Sequence, residues 1–202
     1  MSTSQGYGNP APLGLLGFGL TTILLNIHNA GFFPLTSMIL SMGIFVGGIA
    51  QLIAGIQEWK VNNTFGATAF TLYGCFWLSF AVLNLLPASA VTSSGSFDIG
   101  FYLLVWGVFS LFMFVGTLRI SMAHQIIFSS LTVLFFLLAI GDFTGSHMVK
   151  TIAGFEGIFC GISACYTAVA LILNELYGKI VMPLGMVNKL TIKNQDLQAM
   201  VS

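Results

Sequence analysis

The sequence predicts an all-α polytopic membrane protein, a bundle of six transmembrane helices in one domain, and three observations predict it. Asp, Glu, Lys and Arg make up only 6% of the 202 residues, against about 25% in soluble proteins. Those few charges crowd the gaps between long apolar runs, and mean hydropathy is strongly positive. The runs lack the two-residue alternation of barrel strands. In hydrocarbon, only helices or closed barrels give every backbone N–H and C=O a partner. Helices remain.

A helix needs about 20 mostly apolar residues to cross a bilayer. Six runs qualify: Leu13 to Phe33, Leu35 to Gln57, Ala67 to Leu86, Ile99 to Leu118, Gln125 to Gly141 and Val149 to Leu176. The fifth, at 17 residues, is short for a span. Residues 1–8 and 179–202 flank a transmembrane domain over 9–178. The longest connection, Pro87 to Asp98, is rich in Ser and Ala and reads as a surface turn. No basic leader precedes the first run, so it is expected to be retained.

Basic residues set the orientation. With the N-terminus inside, Lys60, Arg119, Lys179, Lys189 and Lys193 fall on the inner side and only Lys150 on the outer. Both termini are therefore expected in the cytoplasm of a cell-membrane protein. Zero net charge gives no reason to expect a nucleic-acid partner. Cys75, Cys160 and Cys165 sit within spans without CxxC spacing, as small apolar residues. No disulfide, metal or cofactor is expected.

The first helix opens with Asn9-Pro10-Ala11-Pro12-Leu13-Gly14. Asn is a good N-cap and Pro suits the first helical position. Two prolines also delete two of the N–H donors that would attract an anion there. Further along, Phe18, Thr22, Asn26 and Asn29 share one face. The third run carries Thr64, Thr68, Thr71 and Cys75 beside an aromatic face of Phe70, Tyr73, Trp77 and Phe80. The fifth aligns Gln125, Ser129 and Thr132 beside Leu131, and the sixth Glu156, Cys160, Ser163 and Thr167. Interhelical hydrogen bonding accounts for any one such threonine, for about 0.6 kcal/mol per pair. Several stripes in one small bundle point instead to an uncharged path lined by hydroxyls and amides.

The second run differs. Gly43, Gly47, Gln51 and Gly55 recur every four residues, a face for close helix contact, as do Gly157 and Gly161 on the sixth. Gln51 stands out because a buried amide needs partners. Glu58, Lys60 and Arg119 fall at cytoplasmic helix ends and read as solvated. Glu156 lies about 10 Å into the last span, and an intramembrane carboxylate is a functional candidate. His28, His124 and His147 all fall near water, and no catalytic set forms around them. An enzyme is not expected.

These segments together resemble the acetate uptake transporter family, which includes bacterial succinate–acetate permeases and yeast acetate and ammonia export proteins. The resemblance rests on Asn9-Pro10-Ala11-Pro12-Leu13-Gly14-Leu15 with Gly17-Phe18-Gly19, and on Gly47-Gly48-Ile49-Ala50-Gln51 with Ala54-Gly55. Asn63-Thr64-Phe65-Gly66, Ala69-Phe70-Thr71 and Tyr73-Gly74 continue it. Trp106-Gly107, Phe112-Met113-Phe114, Gly116-Thr117, Leu173-Asn174-Glu175 and Pro183-Leu184-Gly185 complete it. It implies a homo-hexamer with a path through each protomer, carrying acetate and sometimes succinate. It also implies an apolar constriction, here Phe18, Tyr73 and Leu131. Stripes and matched motifs together nominate Asn9, Thr22, Asn26, Gln51, Thr68, Thr71, Gln125, Ser129, Thr132 and Asn174 as substrate contacts.

A small carboxylic acid with a pKa near a Glu side chain's costs roughly 3.7 kcal/mol to protonate at pH 7. Stripping the bare carboxylate into a medium of low dielectric costs tens of kcal/mol. With no Lys or Arg expected beside the ring, the neutral acid is the cheaper passenger, and transport is expected to be proton-linked. Three alternatives stay open: passive conduction of the anion, a membrane sensor or structural protein that moves nothing, and passage of ammonium, a cation that would want a more acidic or aromatic lining.

Overall fold

The computed structural model describes residues 8–86 and 94–187. The expectations for residues 1–7, for 87–93 of the Pro87 to Asp98 connection and for the tail at 188–202 lie outside the described residues. All regular structure among those described is helical: α1 (Ala11–Asn29), α2 (Ser37–Lys60), α3 (Thr64–Leu85), α4 (Ser96–Thr117), α5 (Met122–Thr144) and α6 (His147–Tyr177). Each is long and apolar enough to cross a membrane.

Local chemistry sets the boundaries. Pro10, not Asn9, occupies the cap position of α1, and Asn9 Oδ1 accepts the Ala11 N–H at 3.1 Å. The helix stops at Asn29, earlier than hydropathy suggests, because Gly31 turns the chain at φ 92° and Phe32 and Phe33 fall in the connection. Asn63 caps α3 by accepting the Gly66 N–H at 3.1 Å. Ser121 starts α5 and Gly145 ends it at φ 65°, so the fifth span has 23 residues rather than 17. His124 and Asp142, the polar residues that flank the apolar run, lie inside the helix.

The middle of α2, Gly43–Ala50, winds as a π-helix. Its glycines let α3 come close: a Cβ on Gly47 would lie 2.6 Å from the Trp77 ring, and one on Gly74 would lie 2.9 Å from the Gly48 carbonyl. The expected small-residue face is therefore a helix contact. Gly157 and Gly161 work likewise in α6, against Asn26 and Ile23 of α1.

Backbone packing joins α1 to α6, α2 and α3, and α5 to α4 and α6. The backbones of α1, α3 and α5 leave a gap among them, filled by side chains of the buried core. Large apolar side chains such as Phe45, Val105, Phe112 and Phe155 cover the outside. That is the surface a lipid solvent asks for.

Candidate functional site

The gap among α1, α3 and α5 holds a cavity at the end of the bundle where α1 and α5 begin. It has a volume of about 190 Å³ and runs from Ala11 and Asn63 at its mouth to Phe18, Tyr73 and Leu131 at its floor. Two glycines of the first motif let α2 and α3 close on α1 beside it. A Cβ on Gly14 would sit within 2.6 Å of three Phe70 ring atoms, and one on Gly17 would sit 2.7 Å from the Val46 carbonyl of α2. Gln51 reaches the cavity across Gly17, its Oε1 buried without a partner.

A second cavity, about 230 Å³, opens at the opposite end. Leu25, Phe76 and Leu103 line its inner part, and His28, Asn29, Asn84, Asp142 and Lys150 supply its polar groups. The two share no lining residue. Leu25 lies seven residues beyond Phe18, about 10 Å along a helix, and Phe76 three beyond Tyr73, about 4.5 Å. A thin plug therefore separates them.

Rings build that plug. The centroids of Phe18 and Tyr73 are 6.0 Å apart, those of Tyr73 and Phe128 6.1 Å, and Phe76 meets Phe135 edge-on at 5.2 Å. Leu131 is buried beside them at 2% exposure. Among the described residues neither Lys nor Arg lines the first cavity; besides Tyr73, its polar side chains are Gln51, Asn63 and His124.

The structure thus brings Phe18, Tyr73, Leu131 and Gln51 together around one space. The other candidates lie elsewhere. Thr22 is buried with its hydroxyl unpartnered, and Asn26 packs on Gly157 while donating to the Thr22 carbonyl at 2.9 Å. The threonine stripe of α3 turns away from the cavity: Thr64 and Cys75 are exposed, Thr68 is half-buried and the Thr71 hydroxyl faces Gly55 of α2. The aromatic face beside it turns inward instead, where Phe70 and Trp77 pack over Gly14 and Gly47 and the Tyr73 hydroxyl finds Ser110.

On α5, the hydroxyls of Ser129 and Thr132 bond to their own helix, at Ile126 and Phe128, and Gln125 reaches the Thr117 carbonyl at 3.5 Å. Asn174 donates to the Met182 carbonyl and accepts from Val181 and Met182. It fastens the segment after α6, which then pairs with the start of α5 through Met122 N–H to Gly185 O at 2.8 Å. Asn9 is exposed at the helix start.

Glu58 corrects the sequence reading most sharply. Expected in solvent, it is 1% exposed, with Asn63 Nδ2 donating to its Oε2 at 2.7 Å and its Oε1 buried unpartnered. Gly66 permits this, since its missing Cβ leaves room for the carboxyl carbon. Glu156 is half-buried, with Oε2 unpartnered, and lines neither cavity. Ser110 was missed altogether. A single serine amid the apolar run of α4 gives no periodic signal, yet it is fully buried and bonded to Tyr73.

Comparison with known proteins places this architecture. A solved structure described as "Structure of the bacterial acetate channel SatP" superposes with a TM-score of 0.87 at 52% identity, covering 89% of this chain and all of that one. The succinate-acetate/proton symporter SatP of Escherichia coli (strain K12) is 54% identical over 178 residues, 88% of this chain and 95% of its own length. Acetate permease A of Emericella nidulans is 34% identical over 198 residues, 89% of this chain and 66% of its own. These relatives are described as transporters and channels, not enzymes. The family model described as GPR1/FUN34/yaaH matches residues 1–188. The acetate-transporter resemblance of the motifs is thereby established: the chain is a membrane protein of the GPR1/FUN34/yaaH family.

Proposed function

We propose that this protein carries acetate and succinate across the cell membrane, each protomer conducting through its own two cavities and the plug between them. The observation that carries this reading is the pair of opposed cavities separated by one thin, uncharged layer of Phe18, Tyr73, Leu131 and Phe76. A solute of two carbons fits either cavity. It need shed its water only over the short plug.

The substrate comes from the relatives, one described as a succinate-acetate/proton symporter. The proton link comes from the plug: a dry layer without a cation favours the neutral acid over the carboxylate. Assembly as a hexamer with both termini in the cytoplasm belongs to the same reading. The exposed apolar flanks suit lipid or a second copy, and the basic residues favour that orientation.

Uptake of labelled acetate into liposomes holding only this protein tests the proposal. Uptake above empty vesicles, faster when the interior is alkaline at fixed voltage, supports it. Vesicles that stay empty overturn it. A second reading, passive passage of the anion, is favoured by the neighbour described as an acetate channel. It gives uptake that follows voltage, worth about 2.3 kcal/mol per charge per 100 mV, and ignores the pH gradient.

A further inference from the structure

Among the described residues, the cavity beyond the plug contains something the other lacks, a fixed cation. Lys150 lines it, and no other Lys or Arg among the described residues lines either of the two cavities. Two features hold this side chain in place. Its stem lies across Gly141 of α5, where a Cβ would come within 2.7 Å of Lys150 Cγ. Its ammonium lies 2.5 Å from Asp142 Oδ1, in the one salt bridge among the described residues.

The pair is lopsided. The Asp142 side chain is 11% exposed and that of Lys150 38%. An ammonium has three N–H donors and Asp142 Oδ1 takes one, so two remain for the cavity. Asn29 and Asn84 line the same space. Each commits one amide bond locally, to Asn26 Oδ1 and the Phe80 carbonyl, which leaves a second N–H apiece. Asp142 is the only carboxylate in the lining.

We propose that Lys150, seated over Gly141 and steadied by Asp142, is an anion-docking site for a small carboxylate at the far mouth of the path. Asp142 has two roles in this arrangement. It fixes the ammonium, and it subtracts from the attraction, so that the docked carboxylate leaves readily. A conduction site must bind well enough to fill and weakly enough to empty. The inference rests on the transport reading above and adds a site to it.

The competing explanation is that the pair only staples α5 to α6. The two differ in sign, and two variants separate them. Half-saturating acetate is measured in proteoliposomes for Lys150→Gln and Asp142→Asn. Docking predicts that Lys150→Gln raises it about tenfold, for one lost charge-assisted hydrogen bond. Asp142→Asn lowers it about threefold, because the ammonium loses its counter-charge. Lys150→Arg, which keeps the charge, stays between Lys150→Gln and the unaltered protein.

A shift of both variants in the same direction, or none for Lys150→Gln, overturns the docking site and leaves transport standing. Wild-type vesicles that take up no acetate overturn transport itself. Docking is then read by saturation transfer from the solubilised protein to labelled acetate, where loss of signal in Lys150→Gln supports it and an unchanged signal sinks it. Should Lys150→Gln not fold, the lowering by Asp142→Asn decides alone.

Discussion

The Tyr73 hydroxyl lies 2.8 Å from Ser110 Oγ, and Tyr73 is the donor. Serine has one hydroxyl proton, and that of Ser110 goes to the Trp106 carbonyl at 2.8 Å. The pair anchors the tyrosine to α4 and presents the ring, not the hydroxyl, to the plug. Ser110→Ala would strand a buried O–H, at about 1–3 kcal/mol. A lower unfolding temperature in detergent is expected, together with faster leak of acids larger than acetate. Tyr73→Phe in the same background should restore stability, since it removes the stranded donor.

Leu131→Ala opens the plug from the α5 side. Truncating a leucine this buried costs about 2–5 kcal/mol, so folded yield falls. Among protein that folds, uptake of succinate and lactate relative to acetate should rise several-fold. An unchanged substrate ratio would take Leu131 out of the barrier.

Gly14→Ala drives a methyl into the Phe70 ring. Overpacking of this kind costs about 1–3 kcal/mol, and folded yield should drop. Phe70→Leu in the same chain makes room and should recover part of it. Recovery is read from size-exclusion profiles of the two variants.

Thr71→Val removes a buried hydroxyl that has no partner and faces Gly55 of α2. Acetate uptake is expected to change by less than about twofold, the size typical of a substitution away from a site. A tenfold fall would bring Thr71 back to the path.

Asn174→Ala deletes all three bonds that hold the segment after α6. At about 1 kcal/mol each, their loss should free Lys179 for trypsin. Faster cleavage there is the readout.

The spans were legible because lipid leaves a compositional mark that needs no tertiary knowledge. Phe18 and Tyr73 were legible through the motifs that contain them. The threonine stripe of α3 shows the limit. Helical periodicity says that Thr64, Thr68, Thr71 and Cys75 share a face, but not which neighbour that face meets. Placement of Glu58 was equally invisible, since it depends on a missing Cβ in Gly66 of the next helix. Ser110 and the Lys150–Asp142 pair are single residues whose partners are set by packing, so no pattern announced them.

The wide winding in the middle of α2 has its own consequence. Turns closed five residues back hold more residues than ordinary ones, so Gly43–Ala50 acts as a phase adjuster between two halves of one rod. Relaxing the stretch to ordinary winding, with no residue removed, would swing everything beyond it by about 100°. Gln51 would leave the space it now reaches, and Gly55 would no longer meet Thr71. The azimuth of the amide is thus set by the winding of the eight residues that precede it.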